Sequence, residues 1–153
     1  MFHDPVTAFP VGREIPYGPI TISKQEIIEF AEEFDPAFFH LDEKAAQNSM
    51  LMGLSASGYH TCSLTMRMIC DSYLLQSTSQ GSPEAEEVNW HLPVRPGDIL
   101  HGKSTVVSAR FSKSRPEILI VLFRHETMNQ QNELVLSMLN TGFFKSPELK
   151  HDQ

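Results

Sequence analysis

Ser57-Gly58-Tyr59-His60-Thr61-Cys62-Ser63-Leu64-Thr65-Met66-Arg67-Met68-Ile69-Cys70-Asp71-Ser72-Tyr73-Leu74-Leu75-Gln76 is the stretch whose reading decides the fold. Ser57-Gly58 opens a helix predicted over about Tyr59 to Gln76. Cys62, Met66, Ile69 and Tyr73 recur at helical spacing, and Leu64, Met68, Cys70 and Leu74 widen the stripe. So broad an apolar surface suits a helix enclosed by a sheet better than one resting on a surface.

Downstream, Ser77–Pro83 is polar and reads as a loop. The period then changes to that of strands over Glu87–Leu92, Asp98–Ala109, Glu117–Glu126 and Glu133–Phe144. Turn-forming clusters at Pro93–Asp98, Ser112–Pro116 and Asn129–Asn132 separate them. Upstream, Ser23-Lys24-Gln25-Glu26 forms a capping box before an apolar helical face made by Ile27, Phe30, Ala31 and Phe34. Pro36 ends that helix, and a second short helix is predicted from Asp42 over Glu43–Gln47. Residues Asn48–Ala56 form a loop rich in Met and Leu. A strand over Glu14–Ile22, broken by Pro16 and Pro19, belongs at a sheet edge or across a bulge. The first dozen residues read as a flexible N-terminal arm. Helix first, then antiparallel strands on short turns, predicts a single α+β domain over residues 1–153. Its long helix fills the concave face of the sheet, which is the hot-dog arrangement.

The 153 residues are 41% hydrophobic and 20% charged, as expected of one folded domain. The net charge is −7, from 12 basic and 19 acidic residues, which argues against nucleic-acid and anionic-membrane binding. That charge is uneven. Residues 1–90 carry 4 basic and 13 acidic side chains, residues 91–153 carry 8 and 6, so an anionic ligand suits the C-terminal half. Cys62 and Cys70, on one helix, stand roughly 12 Å apart, too far for a disulfide. Together with the lack of a leader-like opening or a membrane-length apolar run, this predicts a cytoplasmic protein.

The chemistry concentrates in Phe34-Asp35-Pro36-Ala37-Phe38-Phe39-His40-Leu41-Asp42. A carboxylate and an imidazole five residues apart, among three phenylalanines, are what acid–base work at neutral pH needs. Alone, such a pair is more often a helix end beside a loop histidine. Here Ser55-Ala56-Ser57-Gly58-Tyr59-His60-Thr61 follows, placing a glycine where a free helix N–H can meet a developing oxyanion. Asn89-Trp90-His91-Leu92-Pro93-Val94-Arg95-Pro96-Gly97-Asp98 comes after both.

These three motifs, in this order, resemble the MaoC-like dehydratases, which include the R-specific enoyl-CoA hydratases; the resemblance spans about Pro16 to Ser146. It implies a hot-dog homodimer that adds water to a trans-2-enoyl thioester on CoA or another carrier, with no metal or redox cofactor. It places the catalytic pair at Asp35 and His40 and the oxyanion N–H at Gly58. Ser57, Tyr59, Met50, Met52 and Leu54 are the expected acyl-binding residues, with Met50–Leu54 as a wall of the acyl pocket. Arg110, Lys113 and Arg115 read from their charges either as a solvated turn, the usual fate of such residues, or as contacts to the phosphates of coenzyme A. One departure concerns the spacing. Related hydratases often carry one residue between the proline and the histidine, whereas three separate Pro36 from His40. Aligning on the proline puts Glu33 at the carboxylate; keeping the carboxylate-to-histidine spacing puts Asp35 there.

Two further functions fit the pattern: a hot-dog thioesterase and a non-catalytic acyl-thioester-binding protein. Gly53-Leu54-Ser55-Ala56-Ser57 misses the nucleophile-elbow pattern and has no strand before it. The seven histidines show no tight ligand pair, so no metal site is expected. His60 reads as a packing or capping residue.

Overall fold

Strand β4 (Ile118–Met128) shows why the second half of the chain becomes sheet. Leu119, Val121, Phe123, His125 and Thr127 are buried, while Ile120, Leu122, Arg124 and Glu126 are partly or fully open. A period of two with one buried face is what a sheet covered on one side requires. The computed structural model describes residues 1–147. In it β3 (Ile99–Phe111) and β5 (Leu134–Lys145) flank β4 antiparallel, with Ser104 and Met138 both opposite His125. Strand β1 (Glu14–Thr21) extends the sheet beyond β3, and β2 (Ser79–Trp90) beyond β5. The order is β1-β3-β4-β5-β2, all antiparallel.

Helix α5 (Gly58–Ser72) packs on the concave face and is followed by a 3-10 turn over Leu74–Gln76. Its buried residues are His60, Thr61, Thr65, Met68 and Ile69. The predicted stripe is therefore rotated: Ile69 and Tyr73 are buried, but Met66 is exposed and Cys62 half-buried. Hydroxyl partners on the sheet account for the difference. Thr65 Oγ1 lies 2.8 Å from Thr127 Oγ1, which lies 2.8 Å from the Tyr17 hydroxyl. Tyr73 donates to Ser104 Oγ at 3.0 Å, and that oxygen is 2.7 Å from His125 Nδ1. With their polar atoms paired, threonines are buried at little cost.

The N-terminal residues are not the loose arm expected. Asp4 caps a short helix, α1 (Pro5–Ala8), and Phe2, Ala8 and Phe9 are buried. Phe9 packs at a tilt 4.6 Å from Phe144 and edge-on to Phe123 at 5.3 Å, within the core. Strand β2 also departs from expectation by starting at Ser79, inside the segment predicted as a loop. It is an edge strand with nearly every residue exposed, so no alternation marks it in the sequence.

Helix α2 (Lys24–Phe34) starts as its capping box requires. Ser23 Oγ accepts the Glu26 N–H at 3.1 Å while its hydroxyl donates to the Glu26 carboxylate at 3.1 Å. Such a cap is worth about 1 kcal/mol. Two short turns follow, α3 (Phe38–Leu41) and α4 (Glu43–Ala46), the second capped by Asp42 as predicted. Only the second was expected.

Candidate active site

Pro36 forces the chain out of α2 at Asp35, whose own N–H still closes on the Ala31 carbonyl at 2.9 Å. The chain then re-enters helical geometry at once. Its turn α3 is set by the His40 N–H donating to the Ala37 carbonyl at 3.0 Å. The three residues between Pro36 and His40 are thus one helical step, and they fold the imidazole back toward the end of α2. His40 Nε2 faces Asp35 Oδ2 at 3.3 Å; the histidine side chain is 7% exposed and the aspartate 32%. Glu33 is exposed and does not line the cleft at this pair. Of the two carboxylates left open by the sequence, Asp35 is the one that meets the imidazole.

The other ring nitrogen is fixed too. His40 Nδ1 lies 2.6 Å from the Ser55 carbonyl oxygen. A carbonyl can only accept, so the Nδ1 position carries the proton and Nε2 is the nitrogen left to exchange one with Asp35 or with a ligand. Phe39 packs edge-on to the ring at 4.6 Å.

Asp35 and His40 open onto a cleft of about 420 Å³. Phe39, Leu51, Trp90, Leu92, Pro93 and Val94 make its walls apolar, and Gly58 and Tyr59 bring the start of α5 to its edge. Gly58 occupies the first helical position, where an N–H has no acceptor within the helix. Its carbonyl accepts the Trp90 indole N–H at 2.9 Å. A Cβ on residue 58 would stand 2.6 Å from the indole ring, so only glycine allows this approach. His91 also lines the cleft, with Nε2 at 2.7 Å from Ser137 Oγ.

The predicted residues divide. Asp35, His40, Gly58 and Tyr59 converge on the cleft. Ser57 is fully buried at the cap of α5, and its hydroxyl has no hydrogen-bond partner. Leu54 is buried in the core, whereas Met50 and Met52 are exposed and line no part of this cleft. The loop that carries them contributes Leu51, Ser55 and Ala56 instead, because its backbone turns at Ser49–Met52 and throws both methionines outward. Arg110, Lys113 and Arg115 do not reach the cleft. They sit where β3 turns into β4, at the other end of a strand spanning roughly 35 Å. There Arg115 pairs with Glu117 at 3.1 Å. Among the cleft residues given no role from the sequence, Trp90 to Val94 belong to the third motif of the resemblance, which marked a strand end but not a cleft wall. His60 stacks on Phe30 at 4.4 Å, and burial pushes its imidazole below the ordinary histidine value despite the opposing charge of Glu26. It packs, as expected. No cluster able to hold a metal occurs among the described residues.

The family model described as "MaoC like domain" matches residues 7–120. The chain belongs to this MaoC-like family. The MaoC-like protein shares 38% identity with the crystal structure of a MaoC-like dehydratase from Rhodospirillum rubrum, which covers 93% of this chain and 97% of that one at a TM-score of 0.85. R-hydratase PhaJ1 from Pseudomonas aeruginosa shares the fold at 18% identity, covering 92% and 85% of the two chains at a TM-score of 0.72. The uncharacterized protein YdeM of Bacillus subtilis (strain 168) is 28% identical over 123 residues, 80% of this chain and 86% of its own. The architecture of this MaoC-like domain is the hot-dog fold, one α+β unit with the sheet wrapped round α5.

Proposed function

We propose that this MaoC-like protein is an acyl-thioester hydratase/dehydratase that adds water reversibly to a trans-2-enoyl-CoA-type substrate. The observation that carries the reading is the Asp35–His40 pair, 3.3 Å apart at the edge of an apolar cleft that also receives the free N-terminus of α5. A water held between the Asp35 carboxylate and His40 Nε2 gives up a proton to the pair as its oxygen bonds to C3. The C2–C3 double-bond electrons move toward the thioester, and negative charge builds on its oxygen. The Gly58 N–H, reinforced by the positive end of α5, stabilises that oxygen. The pair then returns a proton to C2, and dehydration runs the same steps in reverse. None of these steps calls on a metal or redox cofactor.

The acyl chain lies against Leu51, Trp90 and Leu92, with Tyr59 at the rim. The assembly in this reading is a homodimer in a cytoplasmic setting, with both cysteines as thiols. One edge of β2 is unpaired, Tyr59 and Trp90 are exposed at the cleft, and Phe34 and Phe38 are exposed beside Asp35 and Phe39 in the chain. A two-fold partner covers both features at once. Incubation with a short trans-2-enoyl-CoA tests the proposal. Loss of the enoyl chromophore without free thiol supports it, whereas thiol release indicates a thioesterase and binding without turnover a non-catalytic carrier.

A further inference from the structure

The carbonyl that fixes His40 sits on a loop that has little structure of its own. Residues 48–57 join α4 to α5 through turns, and the Ser55 N–H makes only a long bond, 3.3 Å, to the Phe39 carbonyl. The loop is instead gripped from the far side of the cleft by the turn that follows β2. The Arg95 guanidinium donates from one nitrogen to the Leu54 carbonyl at 3.3 Å and from another to the Leu51 carbonyl. It lies so close over the intervening backbone that a Cβ on Gly53 would stand 3.0 Å from Nη1. Two residues beyond Leu54, the Ala56 N–H, which shares a peptide plane with the Ser55 carbonyl, donates to the Val94 carbonyl at 2.9 Å and anchors that peptide beside the Arg95 clamp.

Arg95 is itself braced. Its backbone N–H donates to Asp98 Oδ2 at 2.8 Å, and the other oxygen of that buried carboxylate accepts from Gln130 Nε2 at 3.0 Å. Hydrogen bonds thus tie Gln130 to Asp98, Asp98 to the Arg95 backbone, and the Arg95 guanidinium to the Leu51 and Leu54 carbonyls; from Leu54 one residue of backbone leads to the Ser55 carbonyl and His40 Nδ1. We infer that Arg95 is a positioning residue: by clamping the carbonyls of Leu51 and Leu54 it holds the Ser55 carbonyl on His40 Nδ1 and so keeps Nε2 turned toward Asp35. A planar fork reaches two carbonyls in a fixed geometry, which a single ammonium does not reproduce. The catalytic importance of this clamp rests on the hydratase reading; the link between Arg95 and the histidine does not.

The test is nitrogen-15 NMR of histidine-labelled protein above neutral pH, on the wild type, Arg95→Met and Arg95→Lys. The wild type is expected to show His40 protonated at Nδ1. In the Met variant the tautomers mix, and in the Lys variant, which keeps stem and charge, the shift is partial. Hydration should fall ~10- to 100-fold in kcat for the Met variant with KM little changed, the cost of a misplaced catalytic group. If the Met variant fails to fold, as judged by circular dichroism, the Lys variant decides. A folded variant whose His40 keeps the wild-type tautomer overturns the assignment. A wild type that hydrates nothing while Arg95 variants still shift the tautomer overturns the hydratase reading and supports the clamp.

Discussion

The Trp90 indole packs against the first residue of α5, donating its N–H to the Gly58 carbonyl at 2.9 Å and leaving no room for a Cβ there. An edge strand, β2, thereby sets where the central helix begins and where its free N–H groups point.

Gly58→Ala should displace the indole or the helix start, since its Cβ would sit 2.6 Å from the ring. The expected result is a loss of kcat of about 10²-fold, of the order seen when an oxyanion donor is removed. Affinity for a non-reactive acyl-CoA should change far less. Equal losses in both would point to a collapsed cleft instead of a misplaced donor.

Asp35→Asn and His40→Gln should each lower hydration by ~10²–10⁴-fold, about 3–5 kcal/mol of barrier, with the melting temperature nearly unchanged. Glu33→Gln, at an exposed position away from the imidazole, should hydrate at close to the wild-type rate. Steady-state kinetics on the three variants decides between the carboxylates, and a crippled Glu33→Gln beside an active Asp35→Asn would reverse the assignment.

Much of this arrangement was legible before the fold. Ser23, Pro36 and Asp42 act on their nearest neighbours, so capping and proline chemistry located α2 and α4, and alternation located β3 to β5. The Asp35–His40 spacing was legible for the same reason: the pair is joined by one proline and one turn. What escaped depends on distant partners. Phe9 is ordered by Phe123 and Phe144, more than a hundred residues away, and Phe2 by Phe9 and Tyr73, so the N-terminal segment read as an arm. Thr65 is buried because Thr127 offers it an oxygen, a reason no helical period contains. Met50 and Met52 face outward because the backbone turns at Ser49–Met52, and the fork of Arg95 that holds the same loop is invisible until the two segments meet.

Acid should destabilise the fold through His125. Burial pushes its imidazole from 6.5 down to about 4. Between those values the unfolded chain binds the proton that the folded chain refuses, so stability falls as pH falls. About 3 kcal/mol, present above pH 6.5, is lost once pH drops below 4. Urea titrations at several pH values across this window should show the slope in the wild type and a flatter one in His125→Gln. Equal slopes would assign the acid sensitivity to other groups.

Light scattering at micromolar concentration should return a dimer, because a monomer leaves one edge of β2 and the rings of Phe34, Phe38, Tyr59 and Trp90 uncovered. A mixed dimer of Asp35→Asn with Gly58→Ala chains then tests whether sites are shared between subunits. Recovered activity requires that one site draw its acid–base pair and its oxyanion donor from different chains, and none means that each chain supplies both. An active monomer would contradict the dimer.

Hydration carried out in oxygen-18 water tests the central claim most directly. Mass spectrometry of the product of a short trans-2-enoyl-CoA should place the label on the C3 hydroxyl, with the thioester intact, and should find its rate of appearance cut by ~10²–10⁴-fold with Asp35→Asn or His40→Gln. Label in a released carboxylate, or label at C3 undiminished in both variants, would contradict a hydratase built on Asp35 and His40.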